Sequence, residues 1–211
     1  MISQEKKIVL VFLLLFAVVG VGFAWWYTLH PVLVVYLDPE LSQHMDRARF
    51  KRVYRDAGVW RIRFVEGEPT EELGETRGEI RIALDLSQDW NPKVTDEMRA
   101  QGSVGPGYTD RRTGIAYQPE IKQFLKKNRA KFRQAGLLDW NTLERHMITN
   151  TAIHEAWHAI TQSTSHNTRD KESVMYESPS GAALNYCSNR MRFTAGHQKR
   201  LHDMFSAKSP W

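Results

Sequence analysis

The residues best suited to chemistry in this 211-residue chain are His154, Glu155 and His158, which form an HExxH run. On a helix, His154 and His158 lie one turn apart on the same face, so both imidazoles can reach one metal ion. Glu155 is rotated away from that face and can reach a water molecule beside the metal. Two neutral nitrogen ligands and a carboxylate base are what water activation by zinc requires. The run therefore predicts a hydrolase with one catalytic zinc ion, and a peptidase in particular.

The two histidines lie on a predicted long helix, residues 141–162, whose core-facing stripe is Ile153, Trp157 and Ile160. Alternating or continuous apolar residues before it predict strands near 31–37, 60–64 and 79–85, and a short strand near 114–117 in a glycine-rich loop. Further helices are predicted at about 39–57, at 119–136, and after Thr194, with irregular chain between 163 and 192. This order predicts a single α+β domain with a twisted mixed sheet, an active-site helix and a C-terminal helix.

An N-terminal membrane segment is predicted to precede this domain. Residues 8–29 contain no charged side chain, and a helix of that length rises about 33 Å, enough to cross a bilayer. Lys6 and Lys7 favour residues 1–7 as a cytoplasmic N-terminus, and the aromatic residues 25–27 fit the far interface. A cleavable signal peptide is the alternative. Both interpretations place residues 30–211 outside the cytoplasm, periplasmic or extracellular, and cleavage would make the domain secreted.

Charge and cysteine content exclude several classes of function. The formal net charge is +5, and nothing in the chain resembles a nucleic-acid-binding motif. Basic residues cluster only in the predicted helix 119–136, which is read as a solvated face, with a membrane-surface or polyanion site as the alternative. Cys187 is the single cysteine, so an intrachain disulfide is impossible, and it is read as a small buried apolar residue.

The order of HExxH, a downstream histidine, the run from Ser173 to Tyr176, and a final helix that begins at a threonine resembles the metzincin zinc endopeptidases, most closely their matrixin-like branch. The resemblance implies that Met175 is the methionine of a turn beneath the metal. It also implies that Tyr176 and the segment after it line the pocket for the substrate residue just past the scissile bond. The short strand would then pair with an extended protein or peptide substrate, through Gly114, Ile115, Ala116 and Tyr117.

The chain departs from the metzincin pattern at the third metal ligand. That pattern places a glycine three residues after the second histidine and a histidine six residues after it, where this chain has Thr161 and Thr164. A wider turn could still return His166 to the metal, so His166 is the predicted third ligand. Asp170 and Glu172 are the alternatives, and Glu172 would give a site of two histidines and one glutamate. The other histidines, including His146, His197 and His202, are predicted to be ordinary surface or core residues.

Two functional hypotheses follow from these residues. The first is a zinc endopeptidase in which Glu155 is the general base. The second is a catalytically inactive, metal-stabilised binding module of the same fold. The presence of Glu155 favours the enzyme, because a purely structural zinc site has no need of a base. A propeptide cysteine switch of the matrixin kind is not available, because Cys187 follows the predicted turn at Met175.

Overall fold

A mixed sheet of six strands forms the centre of the fold. The computed structural model describes residues 15–22, 29–76, 78–100, 105–176 and 182–206. Within them, the strands are β1 (Val32–Leu37), β2 (Arg61–Glu66), β3 (Gly74–Thr76), β4 (Glu79–Ser87), β5 (Gly107–Asp110) and β6 (Thr113–Tyr117). The order is β2-β1-β4-β6-β5, with β3 paired to the start of β4. β1, β2, β4 and β6 are parallel, whereas β3 and β5 are antiparallel to their partners. The predicted mixed sheet is therefore confirmed.

Eight helices follow β1 in the described part of the chain. They are α1 (Pro39–His44), α2 (Arg47–Asp56), α3 (Asp96–Ala100), α4 (Gln118–Lys127), α5 (Arg129–Gln134), α6 (Trp140–Thr161), α7 (Ala183–Tyr186) and α8 (Ala195–Phe205). Helix α6 packs against β4, β5 and β6 and also contacts α1, α2, α4 and α7. Every residue from Met147 to Thr161 is buried, so this part of the helix is covered on all sides, whereas Asn141, Thr142 and Arg145 nearer its start are exposed.

The alternation of side chains along β1 divides the core into two parts. Leu33, Val35 and Leu37 are fully buried in the main core, which also contains the apolar residues of α6. Val34 and Tyr36 point to the opposite face and pack in a small second cluster. This alternation is the expected consequence of strand geometry. Because the apolar residues of the helices belong to the main core, the helices lie mainly on one face of the sheet.

The helix predicted over about 39–57 is wrong in one respect, because the chain is extended at Met45 and separates α1 from α2. Asp46 caps α2 by accepting a hydrogen bond from the backbone N–H of Arg49 at 2.9 Å. The backbone N–H of Asp46 is bonded at 2.9 Å to Oγ1 of Thr149 on α6. A local cap and a long-range contact with α6 therefore coincide at the break between α1 and α2.

The basic helix predicted over 119–136 is likewise found as two helices, α4 and α5, that meet at Asn128. The Asn128 side chain is buried and donates to the Phe124 carbonyl oxygen at 3.0 Å. Four short elements were not predicted, namely β3, α3, β5 and α7. Of these, β5 matters most for the site, because it lies at the edge of the sheet beside α6.

The predicted membrane segment 8–29 lies mostly outside the described residues, as does the predicted cytoplasmic segment 1–7. Within it, residues 15–22 are helical and Leu29 is described. In the described ranges, no helix is both long and apolar enough to cross a bilayer. The membrane anchor and the cleavable signal peptide both stay predictions.

Candidate metal centre

Three histidine side chains converge beside the C-terminal half of α6. The Nε2 atoms of His154 and His158 are 3.0 Å apart, and each is 3.2 Å from Nε2 of His166. Two nitrogen ligands of tetrahedral zinc, each at about 2.0–2.1 Å from the metal, lie about 3.3 Å from each other, so these separations fit one shared ion. The structure thus brings the three predicted ligands together. Among the described residues, Asp170 and Glu172 lie outside this group.

Hydrogen bonds at Nδ1 determine the tautomer of His154 and His158, and so leave Nε2 of each ring free to face the other histidines. Nδ1 of His154 lies 2.8 Å from the Val174 carbonyl oxygen, and Nδ1 of His158 is hydrogen-bonded to the Ser163 carbonyl oxygen. A carbonyl oxygen only accepts, so both Nδ1 atoms donate and both Nε2 atoms carry a lone pair in the neutral rings. Converging lone pairs repel one another unless a cation lies between them. The donor set therefore fits a metal ion such as zinc.

Burial keeps these rings neutral, which is the form that binds metal. Desolvation, followed by the nearby His158, lowers the pKa of His154 to about 3. Desolvation also lowers the pKa of His158 to about 4, against the opposing effect of its bond to Ser163. Both side chains therefore present unprotonated nitrogens at neutral pH.

The end of α6 shows how the chain turns without the expected glycine. Thr161 is still helical, and the next residue, Gln162, takes the left-handed conformation at φ 51°. Its side chain donates to the Ala159 carbonyl oxygen at 2.7 Å, and Arg112 donates to the carbonyl oxygens of Ala159 and Ile160 at 3.0 and 2.7 Å. These donors satisfy carbonyl groups that a helix end leaves without partners. The wider turn also supplies the Ser163 carbonyl group that orients His158.

The turn around Met175 connects two of the converging histidines. The Val174 carbonyl oxygen accepts from His154, while the Met175 carbonyl oxygen accepts from the backbone N–H of Asn167 at 2.7 Å, one residue after His166. Met175 is fully buried. Through these two bonds the turn fixes the ring of His154 and the backbone next to His166.

Glu155 lies beside the histidines and against the β5–β6 hairpin. Its Oε1 is 3.9 Å from Nε2 of His154, and its Oε2 accepts a hydrogen bond of 2.7 Å from the hydroxyl of Thr109. The side chain is close to Gly107 and Gly114, since a Cβ at Gly107 would overlap Oε1 and one at Gly114 would lie 2.7 Å from the Glu155 Cβ. Burial raises the pKa of Glu155 to about 8, and the Thr109 hydrogen bond acts in the opposite direction.

The site opens into a cleft of about 390 Å³ between α6, β5 and the segment from Gln162 to His166. Its walls include both predicted and unpredicted residues. Those predicted from the sequence are His154, Glu155, His158, His166 and Tyr176; the others include Tyr108, Thr109, Arg111, Gln162 and Tyr186. Glycines inside strands often mark a close approach of backbone to another group, so Gly107 and Gly114 are the sequence features that could have indicated this wall.

The predicted pairing of substrate with Gly114, Ile115, Ala116 and Tyr117 is wrong. These residues belong to β6, which is paired on one side with β4 and on the other with β5. A strand with both edges occupied has no free backbone groups for a further strand. In the described chain, β5 forms the edge of the sheet at the cleft.

Comparisons with known proteins add little to this geometry. No protein-family model matches the chain, and no curated protein matches it. A solved structure of a zinc-dependent peptidase from Methanocorpusculum labreanum (strain Z) is similar at 11% sequence identity, with a TM-score of 0.45, over 80% of this chain and 99% of that one. A likeness at that TM-score does not establish the family or the activity of this chain. What the chain itself shows is a mixed α/β domain with a histidine triad that could hold a metal ion.

Proposed function

We propose that this chain is a zinc-dependent endopeptidase of the metzincin class, similar to its matrixin-like branch. One observation carries the proposal. Three Nε2 atoms converge within 3.0–3.2 Å of one another while a buried carboxylate oxygen, Oε1 of Glu155, lies 3.9 Å from the nearest of them. A purely structural metal site has no use for that carboxylate, whereas hydrolysis requires a base beside the metal.

His154, His158 and His166 would hold the zinc ion, which when bound polarises a carbonyl group and acidifies a water molecule. The positive charge of a bound ion would favour the ionised form of Glu155 and so oppose the effect of burial on its pKa. The ionised Glu155 accepts the proton of the attacking water at Oε1, because Oε2 is occupied by the Thr109 hydroxyl. The water oxygen bonds to the peptide carbonyl carbon, the C–N bond breaks, and Glu155 passes the proton to the leaving amine. The enzyme forms no covalent bond with the substrate.

The substrate is a protein or peptide segment that adds as a further strand to β5. The alternation of hydrogen bonds in an antiparallel pair supports this placement. The Pro106 carbonyl oxygen accepts from the backbone N–H of Tyr117 at 2.8 Å, so the hydrogen-bonded pairs along the hairpin continue at Tyr108 and Asp110. The N–H and C=O groups of Thr109 therefore point to the open edge, where an extended peptide can pair with them.

The decisive experiment compares Glu155→Gln with the wild type. The variant should keep its fold and one zinc ion per chain but lose the base, so peptide hydrolysis should fall by about 10²–10⁴-fold. Glu172→Gln is the matched control, because Glu172 is an exposed glutamate outside the histidine group, and it should retain activity. If zinc-loaded wild type cleaves nothing in a broad peptide library, the inactive metal-stabilised binding module becomes the better hypothesis.

We also propose that residues 8–29 anchor the domain to a membrane with the N-terminus inside and residues 30–211 outside the cytoplasm. The uncharged apolar run and the preceding Lys6 and Lys7 support this orientation. Protease added to intact cells or spheroplasts should then digest the domain. Protection that is lost only after lysis would reverse the orientation, and recovery of the domain in the medium without residues 1–29 would favour the cleaved signal peptide.

A further inference from the structure

Thr109, which lies outside the HExxH motif, makes a hydrogen bond to Glu155. The Thr109 hydroxyl lies 2.7 Å from Oε2 of Glu155 and 3.0 Å from the Glu155 backbone carbonyl oxygen. A hydroxyl has one proton, and when Glu155 is ionised its carboxylate oxygen, at the shorter distance, is a stronger acceptor than the backbone carbonyl oxygen. The bond therefore fixes one carboxylate oxygen and leaves the other, Oε1, on the side of the histidines.

The register of the hairpin explains why Thr109 can reach this carboxylate. Thr109 lies directly opposite Gly114 in the β5–β6 pair, and Gly107 lies two residues before it on the same face of β5. All three positions face α6, where the missing side chains of the two glycines leave room for the side chain of Glu155. Glu155 is only 6% exposed, so the surroundings offer little water to replace the hydroxyl.

We propose that Thr109 is a positioning residue that couples substrate binding to the general base. This inference rests on the proposed peptidase function. The backbone of Thr109 faces the open edge of β5, where the substrate strand adds, and its side chain faces Glu155. One residue thus orders the backbone that receives the peptide and the carboxylate that takes the proton from water. The side chain itself does not touch the substrate.

The kinetic test compares Thr109→Val, which keeps the shape but removes the hydroxyl, with Thr109→Ser, which restores it. Loss of one hydrogen bond to a charged group in the reacting state should lower kcat about tenfold in the valine variant. KM should stay within about twofold, because the backbone edge of β5 is unchanged. Thr109→Ser should recover most of kcat. An unchanged kcat in the valine variant, or no recovery in the serine variant, overturns the inference.

Thr113→Val is the matched control. Thr113 lies on β6 of the same hairpin, next to Gly114, so its side chain points to the opposite face of the sheet. It forms part of a small cavity with Tyr36 and Asp85, away from the cleft. This variant should keep kcat and zinc content. Zinc stoichiometry and circular dichroism on every variant separate a lost fold from a misplaced carboxylate.

A second readout does not depend on activity. In metal-free protein labelled with ¹³C at glutamate side chains, the carboxyl signal of Glu155 is assigned by its loss in Glu155→Gln. It should shift in Thr109→Val and return in Thr109→Ser, and should not move in Thr113→Val. A signal that does not move in the valine variant overturns the inference whatever the kinetics show. If zinc-loaded wild type cleaves no peptide, the proposed function fails, and the carboxyl signal alone still decides whether Thr109 holds Glu155.

Discussion

His166 is the exposed member of the histidine triad, whereas His154 and His158 are buried in α6. That difference makes His166 the ligand whose removal disturbs the fold least. Replacing an outer partner of a zinc ligand typically costs about 10–100-fold in affinity, so loss of the ligand itself in His166→Ala should cost at least about 100-fold. Zinc affinity of the wild type and of His166→Ala, measured by competition with a chromogenic chelator, checks this expected loss.

Asp170→Asn and Glu172→Gln are the controls for His166→Ala, because these residues were the alternative ligands. Asp170 already accepts from the backbone N–H of Glu172 at 2.9 Å, and Glu172 is paired with Arg192 at 3.5 Å. Both variants should bind zinc as the wild type does. Wild-type affinity in His166→Ala combined with a loss in Glu172→Gln would show that the site has two histidines and one glutamate.

The end of α6 is the element on which the histidine geometry depends most. Arg112 donates to the carbonyl oxygens of Ala159 and Ile160 and is also paired with Glu75 at 3.0 Å. Its side chain is only 18% exposed, so water replaces it poorly. Arg112→Met removes the side-chain donor of the Ile160 carbonyl oxygen and leaves the Ala159 carbonyl oxygen with Gln162 alone, so it should lower the free energy of unfolding by about 1–3 kcal/mol.

Urea denaturation of metal-free protein measures this change without a contribution from zinc. Arg133→Met is the matched control, since Arg133 is exposed on α5 and makes no side-chain hydrogen bond or ion pair in the described structure. Its effect should be within about 0.5 kcal/mol. Equal effects of the two substitutions would mean that the Arg112 hydrogen bonds do not stabilise the end of α6.

Elements with a strong local pattern could be predicted from the sequence, and elements set by distant contacts could not. The long helix 141–162 and the strands at 31–37 and 79–85 match α6, β1 and β4 within a few residues. At the break after Met45, the backbone N–H of Asp46 is bonded to Thr149, about a hundred residues later, and no local period reveals this contact.

The same distinction applies to the site. HExxH has a fixed spacing, and the structure places both of its histidines together with His166. The four-residue strand β5 has no clear alternation within its glycine-rich surroundings, so the edge beside the cleft was assigned to β6 instead. Thr109 could not be identified for that reason, because its role depends on the register of β5 against β6.

At the scale of the whole molecule, the three histidines join α6 to the irregular segment that follows it. His154 and His158 belong to α6, and His166 belongs to the irregular segment between Gln162 and the turn at Met175. A metal ion bound to all three is a cross-link that exists only in the folded state. Its binding free energy therefore adds to the stability of the domain.

Zinc removal should consequently lower the melting temperature of the domain. At a free zinc concentration about 1,000 times Kd, binding stabilises the folded state by about 4 kcal/mol. For a domain of about 150–250 residues, this corresponds to a shift on the order of 10 °C. Differential scanning calorimetry of residues 30–211 with zinc and with a chelator measures the shift. In His154→Ala/His158→Ala the two curves should coincide, and in Asp170→Asn the full shift should remain. A wild type whose melting temperature is the same with zinc and with chelator would show that the three histidines do not hold a metal in the folded domain.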